Sequence, residues 1–233
     1  MLAAAVATIA VELGAYLLAR FGGASQRDAT LSVLAMSVLW IALAGPVLAA
    51  GGTEAFSALL RGCVVADASL ITLVVLWVSA GAPPPPRGPC VTLLGVVKIY
   101  CTYVAVSLAG VAAARCGRRE AGRYVGAVIA AILFFVALAS PFWIGGSLQA
   151  AQGPLRRWII TAAVDLNPFY SVTSAIVDQA HFVWHQAPVM YRFTRIGDFA
   201  APPPVPWYAA AVVYGLLAGM LGATHLIRRG NRE

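Results

Sequence analysis

Residues 31–50, LSVLAMSVLWIALAGPVLAA, form a stretch of twenty residues without a single charged side chain. A hydrocarbon core about 30 Å thick is crossed by roughly 20 apolar residues in an α-helix. The whole chain has the same character, because 61% of its 233 residues are hydrophobic and 11% are charged, against about 25% charged in a typical soluble domain. The composition therefore predicts an all-α integral membrane protein and excludes disordered and disulfide-rich secreted classes.

Other apolar stretches accompany residues 31–50 and bring the number of predicted membrane spans to six. The first of them lies where a signal peptide would lie, but no basic segment precedes it and Glu12 interrupts it, so we interpret it as a membrane helix. All six belong to one transmembrane domain that covers residues 1–233. Their approximate limits are 2–19, 31–50, 63–82, 90–114, 124–148 and 207–227.

The net charge of +7 does not indicate a nucleic-acid partner, because the basic residues are scattered between apolar runs rather than gathered on one face. An even number of spans places both termini on one side, and arginine in short loops marks the cytoplasm. With the termini inside, eight arginines are inner and three lie in short outer loops, so we expect cytoplasmic termini. The inner arginines are Arg61, Arg115, Arg118, Arg119, Arg123, Arg228, Arg229 and Arg232, and the outer ones are Arg20, Arg27 and Arg87.

A short amphipathic helix is predicted on the inner side between spans two and three, within residues 53–62 (TEAFSALLRG). An apolar stripe repeats there at helical spacing, two charged residues point elsewhere, and a glycine follows as a C-terminal stop. Two interpretations stay open, an interfacial helix that rests on lipid headgroups and a docking element for a cytoplasmic partner. The stripe is Phe56, Leu59 and Leu60, the charged residues are Glu54 and Arg61, and the glycine is Gly62.

The outer segment between spans five and six, residues 149–206, is too long for a simple loop and is expected to be helical. Asn167 and Pro168 have the arrangement of an N-cap and a first helical residue. The apolar residues that follow step by three or four positions, which predicts an amphipathic helix with Ser171 on its polar face.

The same polar face continues with Asp178, His181 and His185, and these three residues fit two interpretations. They either line an outer gate or vestibule, or they converge on a metal ion, since histidines four residues apart on a helix can chelate one. No fourth ligand is visible in the sequence, so we expect no metal.

Three ionisable residues lie within the predicted spans: Glu12, Asp67 and Lys98. Charged groups in hydrocarbon are costly and are functional candidates. Their depths, at about 1.5 Å per helical residue, predict that Glu12 pairs with Lys98 while Asp67 reaches toward the inner surface. These groups either tie helices together or handle substrate or protons.

The chain contains no phosphate-binding loop, no GxSxG, no HExxH and no CxxCH pattern. Its four cysteines show no spacing typical of a metal site. We therefore expect no catalytic residues in this chain.

Taken together, the predicted elements resemble the ABC-2 type transporter permease family, which has six spans, inner termini and helices between spans five and six. Most of residues 53–229 take part in the resemblance. Residues 53–62 are similar to the coupling helix of that family and residues 114–124 (ARCGRREAGRY) to its basic inner loop. Residues 140–143 (SPFW) and 166–178 (LNPFYSVTSAIVD) are similar to the end of its fifth helix and to its outer helices.

The resemblance implies an exporter in a bacterial inner or plasma membrane, in which this chain pairs with a second copy or a paralogue. A separate ATPase subunit would bind ATP and Mg, and this chain would bind no cofactor. The ATPase contacts would be Glu54, Phe56, Leu59, Leu60 and Arg61, and the helix from Asn167 to His185 would form the outer gate. Two other hypotheses stay open: a membrane-embedded metal- or haem-binding protein or enzyme that uses Asp178, His181 and His185, and a non-transporting assembly subunit.

Overall fold

The structure of the chain, a computed structural model, describes residues 1–51, 54–79, 93–117, 119–177 and 206–230. Every regular element within these ranges is an α-helix, which confirms the predicted all-α fold. Five of the described helices are long and apolar enough to cross a membrane. The chain is therefore a multi-pass membrane protein.

The five long helices, α1 to α5, follow one another from the N-terminus. The shortest has 19 residues and the longest 25, so at about 1.5 Å per residue each is long enough for a hydrocarbon core of about 30 Å. Their limits are Leu2–Phe21 for α1, Gln26–Ala50 for α2, Ala55–Ser79 for α3, Leu93–Arg115 for α4 and Glu120–Leu138 for α5.

Helix α5 ends at Leu138, ten residues before the end of the predicted span 124–148. Two short helices follow, α6 (Ser140–Trp143) and α7 (Gly145–Ala150). Pro141 has no N–H group and cannot continue the hydrogen-bond ladder of α5. The prediction placed the end too late because the residues after Leu138 are still largely apolar.

The short helix predicted within residues 53–62 is not a separate element in the described structure, and the predicted stop at Gly62 is wrong. Helix α3 runs without a break from Ala55. Gly62 faces α4, where a Cβ atom would lie 2.8 Å from both Ser107 Oγ and Val111 Cγ2. This glycine therefore lets two membrane helices approach closely, as small residues commonly do in membrane proteins.

The outer segment contains two further consecutive helices, α8 (Gly153–Asp165) and α9 (Pro168–Val177), with two residues between them, and we refer to the pair as the hairpin of α8 and α9. The segment predicted to be helical over 149–206 is thus helical as far as Val177, and residues 178–205 lie outside the described part. A small apolar cluster packs α8 against α7 and the residue before it, with Tyr170 contributed by α9, and it consists of Ile144, Leu148, Ile160, Ala163, Val164 and Tyr170.

The last helix, α10, spans Ala209–Gly230. Its apolar part with described side chains, Ala209–Thr224, is shorter than a membrane span. The sixth span therefore stays a prediction, whereas spans one to five have matching helices.

Helix α4 lies at the centre of the bundle and packs against α2, α3, α5, α9 and α10, while α1 packs against α2 and α3. Large apolar side chains also point away from the bundle along the outer helices, which fits a surface covered by lipid. Examples are Val6, Leu13 and Leu17 of α1, Val125, Ile129 and Ile132 of α5, and Val212 and Leu216 of α10.

Candidate functional site

Glu12 lies on the buried face of α1, where Ala4, Thr8 and Glu12 follow at intervals of four residues. Its side chain is 0% exposed. A rise of about 1.5 Å per residue places it roughly 15 Å from Leu2 along the helix, which is half of a hydrocarbon core about 30 Å thick. A carboxyl group is therefore enclosed by protein near the middle of the bundle.

Four hydroxyl side chains from three other helices surround this carboxyl group. Ser37 of α2 and Ser69 and Thr72 of α3 lie beside it, and Tyr103 of α4 lies next to Ser37 and close enough to Glu12 for their charges to interact. All four hydroxyl residues are at most 6% exposed. We refer to Glu12 with these four residues as the Glu12 cluster.

Two of the surrounding hydroxyl groups donate their hydrogen to the backbone of their own helix. Ser37 Oγ donates to the carbonyl oxygen of Val33 and Thr72 Oγ1 to that of Ala68, both at 2.9 Å. A hydroxyl group has one hydrogen and two lone pairs. While these two bonds are formed, the side chains of Ser37 and Thr72 offer the carboxyl group lone pairs, and each could donate to it only by giving up its backbone bond.

The other polar atoms of the Glu12 cluster have no hydrogen-bond partner within the described part of the chain. They are both carboxyl oxygens of Glu12, Ser69 Oγ and the hydroxyl of Tyr103. Buried polar groups in native proteins are nearly always hydrogen-bonded, and each one left unsatisfied costs about 1–3 kcal/mol. The described contacts therefore leave unsatisfied polar atoms of three helices, α1, α3 and α4, close together in the bundle.

The expected pair between Glu12 and Lys98 is wrong, because neither carboxyl oxygen of Glu12 forms a hydrogen bond with it. The ammonium group of Lys98 lies over the ring of Trp207, 5.5 Å from its centroid, which is a cation–π contact. The residue of α4 that lies near Glu12 is Tyr103, five positions after Lys98. Glu12 faces α2 and α3, whereas Lys98 faces the segment that leads into α10.

Asp67 is also tied to a neighbouring helix instead of reaching freely toward the inner surface. Its Oδ1 atom accepts a hydrogen bond from the hydroxyl of Tyr100 at 2.8 Å, which joins α3 to α4. The three ionisable groups expected in the membrane thus occupy three separate surroundings.

The residues predicted to contact an ATPase lie at the start of α3 and differ in exposure. Phe56 is 70% exposed and Leu59 43% exposed, and Glu54 is exposed as well. Leu60 is half-buried. The apolar stripe is therefore largely on the surface of the described chain.

Arg61 has an internal partner. Its Nη1 atom donates to the carbonyl oxygen of Leu48 at 3.3 Å, in the last turn of α2. A cation is favourable at the C-terminus of a helix, where carbonyl groups lack partners. Arg61 therefore stabilises the end of α2 in addition to any external contact.

Asn167 is the N-cap of α9 and Pro168 its first residue, as predicted. The Oδ1 atom of Asn167 accepts a hydrogen bond from the backbone N–H of Phe169 at 3.1 Å. Its Nδ2 atom donates to the carbonyl oxygen of Leu138 at 3.0 Å. Asn167 is completely buried, so it connects helices instead of lining an open vestibule.

The predicted polar face of α9 packs against the start of α10 near Ser171. Ser171 is buried, and its Oγ atom accepts a hydrogen bond from the backbone N–H of Ala210 at 3.1 Å. Ser171 of the predicted polar face is therefore covered by α10.

The remaining residues of that predicted polar face, Asp178, His181 and His185, lie outside the described residues. Within the described ranges, no group of three histidine, cysteine, aspartate or glutamate side chains is placed to hold a metal ion.

Sequence reasoning identified Glu12 but missed the hydroxyl residues around it. The available signal was weak: Ser69 and Thr72 are three residues apart and share one face of a helix, yet isolated hydroxyl residues are common in membrane spans. Only packing of four helices brings the five side chains together.

No family model matches this chain, and no curated protein or solved structure matches it either. Its function is therefore inferred from its own residues and their geometry.

Proposed function

We propose that this chain is the transmembrane permease subunit of an ATP-driven exporter of the ABC-2 type. The observation that carries the proposal is the position of the hairpin formed by α8 and α9. It lies in the sequence between α5 and the last long helix, and α9 folds back against α4 and α10. Six spans with a helical re-entrant segment before the sixth are what the family resemblance implies.

The proposal assigns one end of the bundle to the cytoplasm. The end of α2 and the start of α3 and α5 meet there, because a Cβ atom on Gly51 would lie 2.9 Å from Arg61 Nη1 and 3.4 Å from the Tyr124 hydroxyl. Arg115, Arg119 and Arg123 belong to the same end. Clustered arginines favour the cytoplasmic side of a membrane, and both termini would then be cytoplasmic.

An ATPase subunit would dock at this end on the exposed side chains of Phe56 and Leu59. Because α3 is continuous from Ala55 to Ser79, a displacement of its first turn would be transmitted along the helix to Ser69 and Thr72 inside the bundle. This mechanical link replaces the separate coupling helix that the sequence predicted.

The same proposal assigns separate roles to the ATPase subunit and to the permease chains. ATP and Mg would bind to the partner subunit, and two permease chains, identical or paralogous, would enclose the path. This chain would contribute no catalytic residue and would work by alternating access. The gate on the outer side would include α9, which begins at Pro168 directly after its N-cap Asn167.

The test is affinity purification of the full chain from its native membrane, followed by mass spectrometry of the proteins that accompany it. We expect a subunit with a phosphate-binding loop to co-purify. Replacing both Phe56 and Leu59 by Asp should abolish co-purification, since charged side chains remove the apolar contact.

Trp158→Asp provides the matched control, because Trp158 is also an exposed large apolar side chain, on α8. It should leave co-purification unchanged. Recovery of the folded chain without such an ATPase would contradict the proposed function and favour a non-transporting assembly subunit. Equal loss in the control would contradict the assignment of the docking surface to α3.

A further inference from the structure

The Glu12 cluster brings several hydrogen-bond acceptor atoms together in the middle of the bundle. Glu12 supplies two carboxyl oxygens, and Ser37 and Thr72 supply hydroxyl oxygens whose hydrogens are already donated to backbone carbonyl groups. Ser69 and Tyr103 add two hydroxyl oxygens without partners among the described residues. Hydroxyl oxygen atoms from three helices thus surround the carboxyl group of a fourth.

A bare carboxylate in this position would be very unfavourable. Removing an unpaired charge from water costs so much that buried acidic groups either take up a proton or acquire a positive partner. Hydrogen-bond donors would offset part of this cost, but Ser37 and Thr72 already donate their hydrogens to backbone carbonyl groups. One positive charge at the carboxyl group would offset the rest.

No arginine or lysine side chain among the described residues supplies that charge. On α2, Ser37 faces the carboxyl group, and on α3 Ser69 and Thr72 do so. On α4, the titratable group near it is Tyr103. The other charged side chains of α3 and α4 within the bundle are engaged elsewhere, Asp67 with Tyr100 and Lys98 with Trp207.

We propose that the Glu12 cluster is a binding site for one exchangeable monovalent cation, a proton or a sodium ion. A single positive charge balances the single negative charge of the carboxylate, whereas a divalent ion would leave a net charge of about +1 in the membrane interior. Carboxylate and hydroxyl oxygens are ligands suited to hard cations. A proton on Glu12 would in turn donate a hydrogen bond to one of the lone pairs of Ser37 or Thr72.

The packing of α1 gives a route for exchange. Only Ala4, Thr8 and Glu12 are buried on this helix, which packs against α2 and α3. A small movement of α1 away from these helices would open the cluster without disturbing the core around α4. An ATP-driven permease does not need such a site, so the inference is independent of the proposed function and stands or fails separately.

The test uses the full chain in lipid nanodiscs and two measurements. The first is the midpoint of thermal unfolding at alkaline pH in sodium chloride and in choline chloride at equal ionic strength. The second is the infrared carbonyl band of a protonated carboxyl group, followed as the pH is raised. Both are applied to the wild type, to Glu12→Gln and to Asp67→Asn, which changes another acidic residue of the bundle.

A sodium site predicts that sodium raises the unfolding midpoint of the wild type and Asp67→Asn but not of Glu12→Gln. A proton site predicts no specific sodium effect and a carboxyl band that disappears at high pH in the wild type and Asp67→Asn and is absent from Glu12→Gln. Either result supports the proposal and identifies the cation.

A wild-type chain with neither a sodium effect nor a pH-dependent band would overturn the proposal, as would either effect persisting in Glu12→Gln. If Glu12→Gln does not fold, Ser69→Ala replaces it, because this change removes one hydroxyl oxygen and no charge. It should shift the sodium concentration or the pH at which the wild-type effect is half complete. An unchanged midpoint would overturn the proposal as well.

Discussion

The side-chain amide of Asn167 donates a hydrogen bond to the carbonyl oxygen of Leu138 at 3.0 Å, which fastens the start of α9 to the last residue of α5. The same side chain caps α9 through its oxygen atom. The carbonyl of Leu138 lies in the last turn of α5, where helical partners are missing. One buried asparagine therefore satisfies groups at the ends of two helices and sets the position of the hairpin.

Asn167→Ala should destabilise the chain more than Asn167→Ser does. Serine retains an oxygen that can cap α9 but has no amide to reach Leu138, whereas alanine loses both contacts. Loss of an N-cap side chain costs about 1 kcal/mol, which is the expected difference between the two variants. Detergent unfolding followed by circular dichroism measures it, and equal midpoints for the two variants would show that the cap contributes nothing.

Thr8→Val should weaken the contact between α1 and α2. The indole N–H of Trp40 donates to Thr8 Oγ1 at 3.0 Å, and valine has no acceptor. Hydrogen bonds between membrane helices contribute about 0.6 kcal/mol on average and up to about 1.7, so we expect a loss in this range. Unfolding in mixed micelles, with tryptophan fluorescence as the readout, reports it.

The control for that change is Thr224→Val on α10. Thr224 is exposed and donates only to the carbonyl oxygen of Leu221 in its own helix. It should change stability by less than about 0.5 kcal/mol, as is usual for surface positions. A loss as large as that of Thr8→Val would mean that removal of any threonine hydroxyl has this effect.

Much of the fold follows from the sequence, because membrane spans depend on length and apolarity alone. Spans one, two and four match α1, α2 and α4 to within a few residues. After Leu138 the prediction was wrong because Pro141, a local helix breaker, lies among apolar residues that extend the hydrophobic pattern. At Gly62 the deciding factor was a contact with a distant helix. Such contacts leave no periodic pattern near the residue concerned.

The candidate site, like the fold, could be predicted from the sequence only in part. Glu12 was a candidate because an acidic residue in an apolar stretch is expensive wherever it points. Its partners depend on helix rotation, which sequence alone does not specify in a span that is apolar on all sides. Lys98 was therefore chosen by depth, whereas the structure places Ser37, Ser69 and Thr72 beside the carboxyl group.

Gly110→Val should push α2 and α4 apart. A Cβ atom at this position would lie 2.6 Å from Cγ of Pro46, which is far closer than carbon atoms approach each other. Overpacking of this kind typically costs about 1–3 kcal/mol. Gly215→Val is the matched control, since no atom lies within 4 Å of the corresponding Cβ position. Yield of folded protein and unfolding midpoint should fall for Gly110→Val alone, and an equal loss in both variants would contradict the close approach.

Tyr100→Phe should be more harmful than Asp67→Asn, although both alter the same pair. Phenylalanine removes the donor and leaves an oxygen of Asp67 without this partner, which costs about 1–3 kcal/mol. Asparagine keeps an Oδ1 acceptor, so the bond from Tyr100 at 2.8 Å can persist. Unfolding midpoints of the two variants test this order. If Asp67→Asn were the more damaging change, the charge of Asp67 and not its hydrogen bond would be what matters.

Asp165, the last residue of α8, should make the hairpin of α8 and α9 less stable as the pH rises. Burial raises the pKa of its carboxyl group above the ordinary value of 3.8, so the folded chain holds this proton more tightly than the unfolded chain. The stabilisation is complete below the ordinary pKa and is lost as the pH rises through the raised folded value. A carboxylate at a helix C-terminus is also unfavourable because of the helix dipole.

Hydrogen exchange of the backbone N–H of Leu166, which donates to the carbonyl oxygen of Ala162, reports the opening of this turn. After correction for the intrinsic pH dependence of exchange, protection in the wild type should decrease as the pH rises through the acidic range. Asp165→Asn cannot ionise, so its protection should stay constant over the same range and exceed that of the wild type at neutral pH. A variant that keeps the wild-type slope would show that another group near the hairpin is titrating.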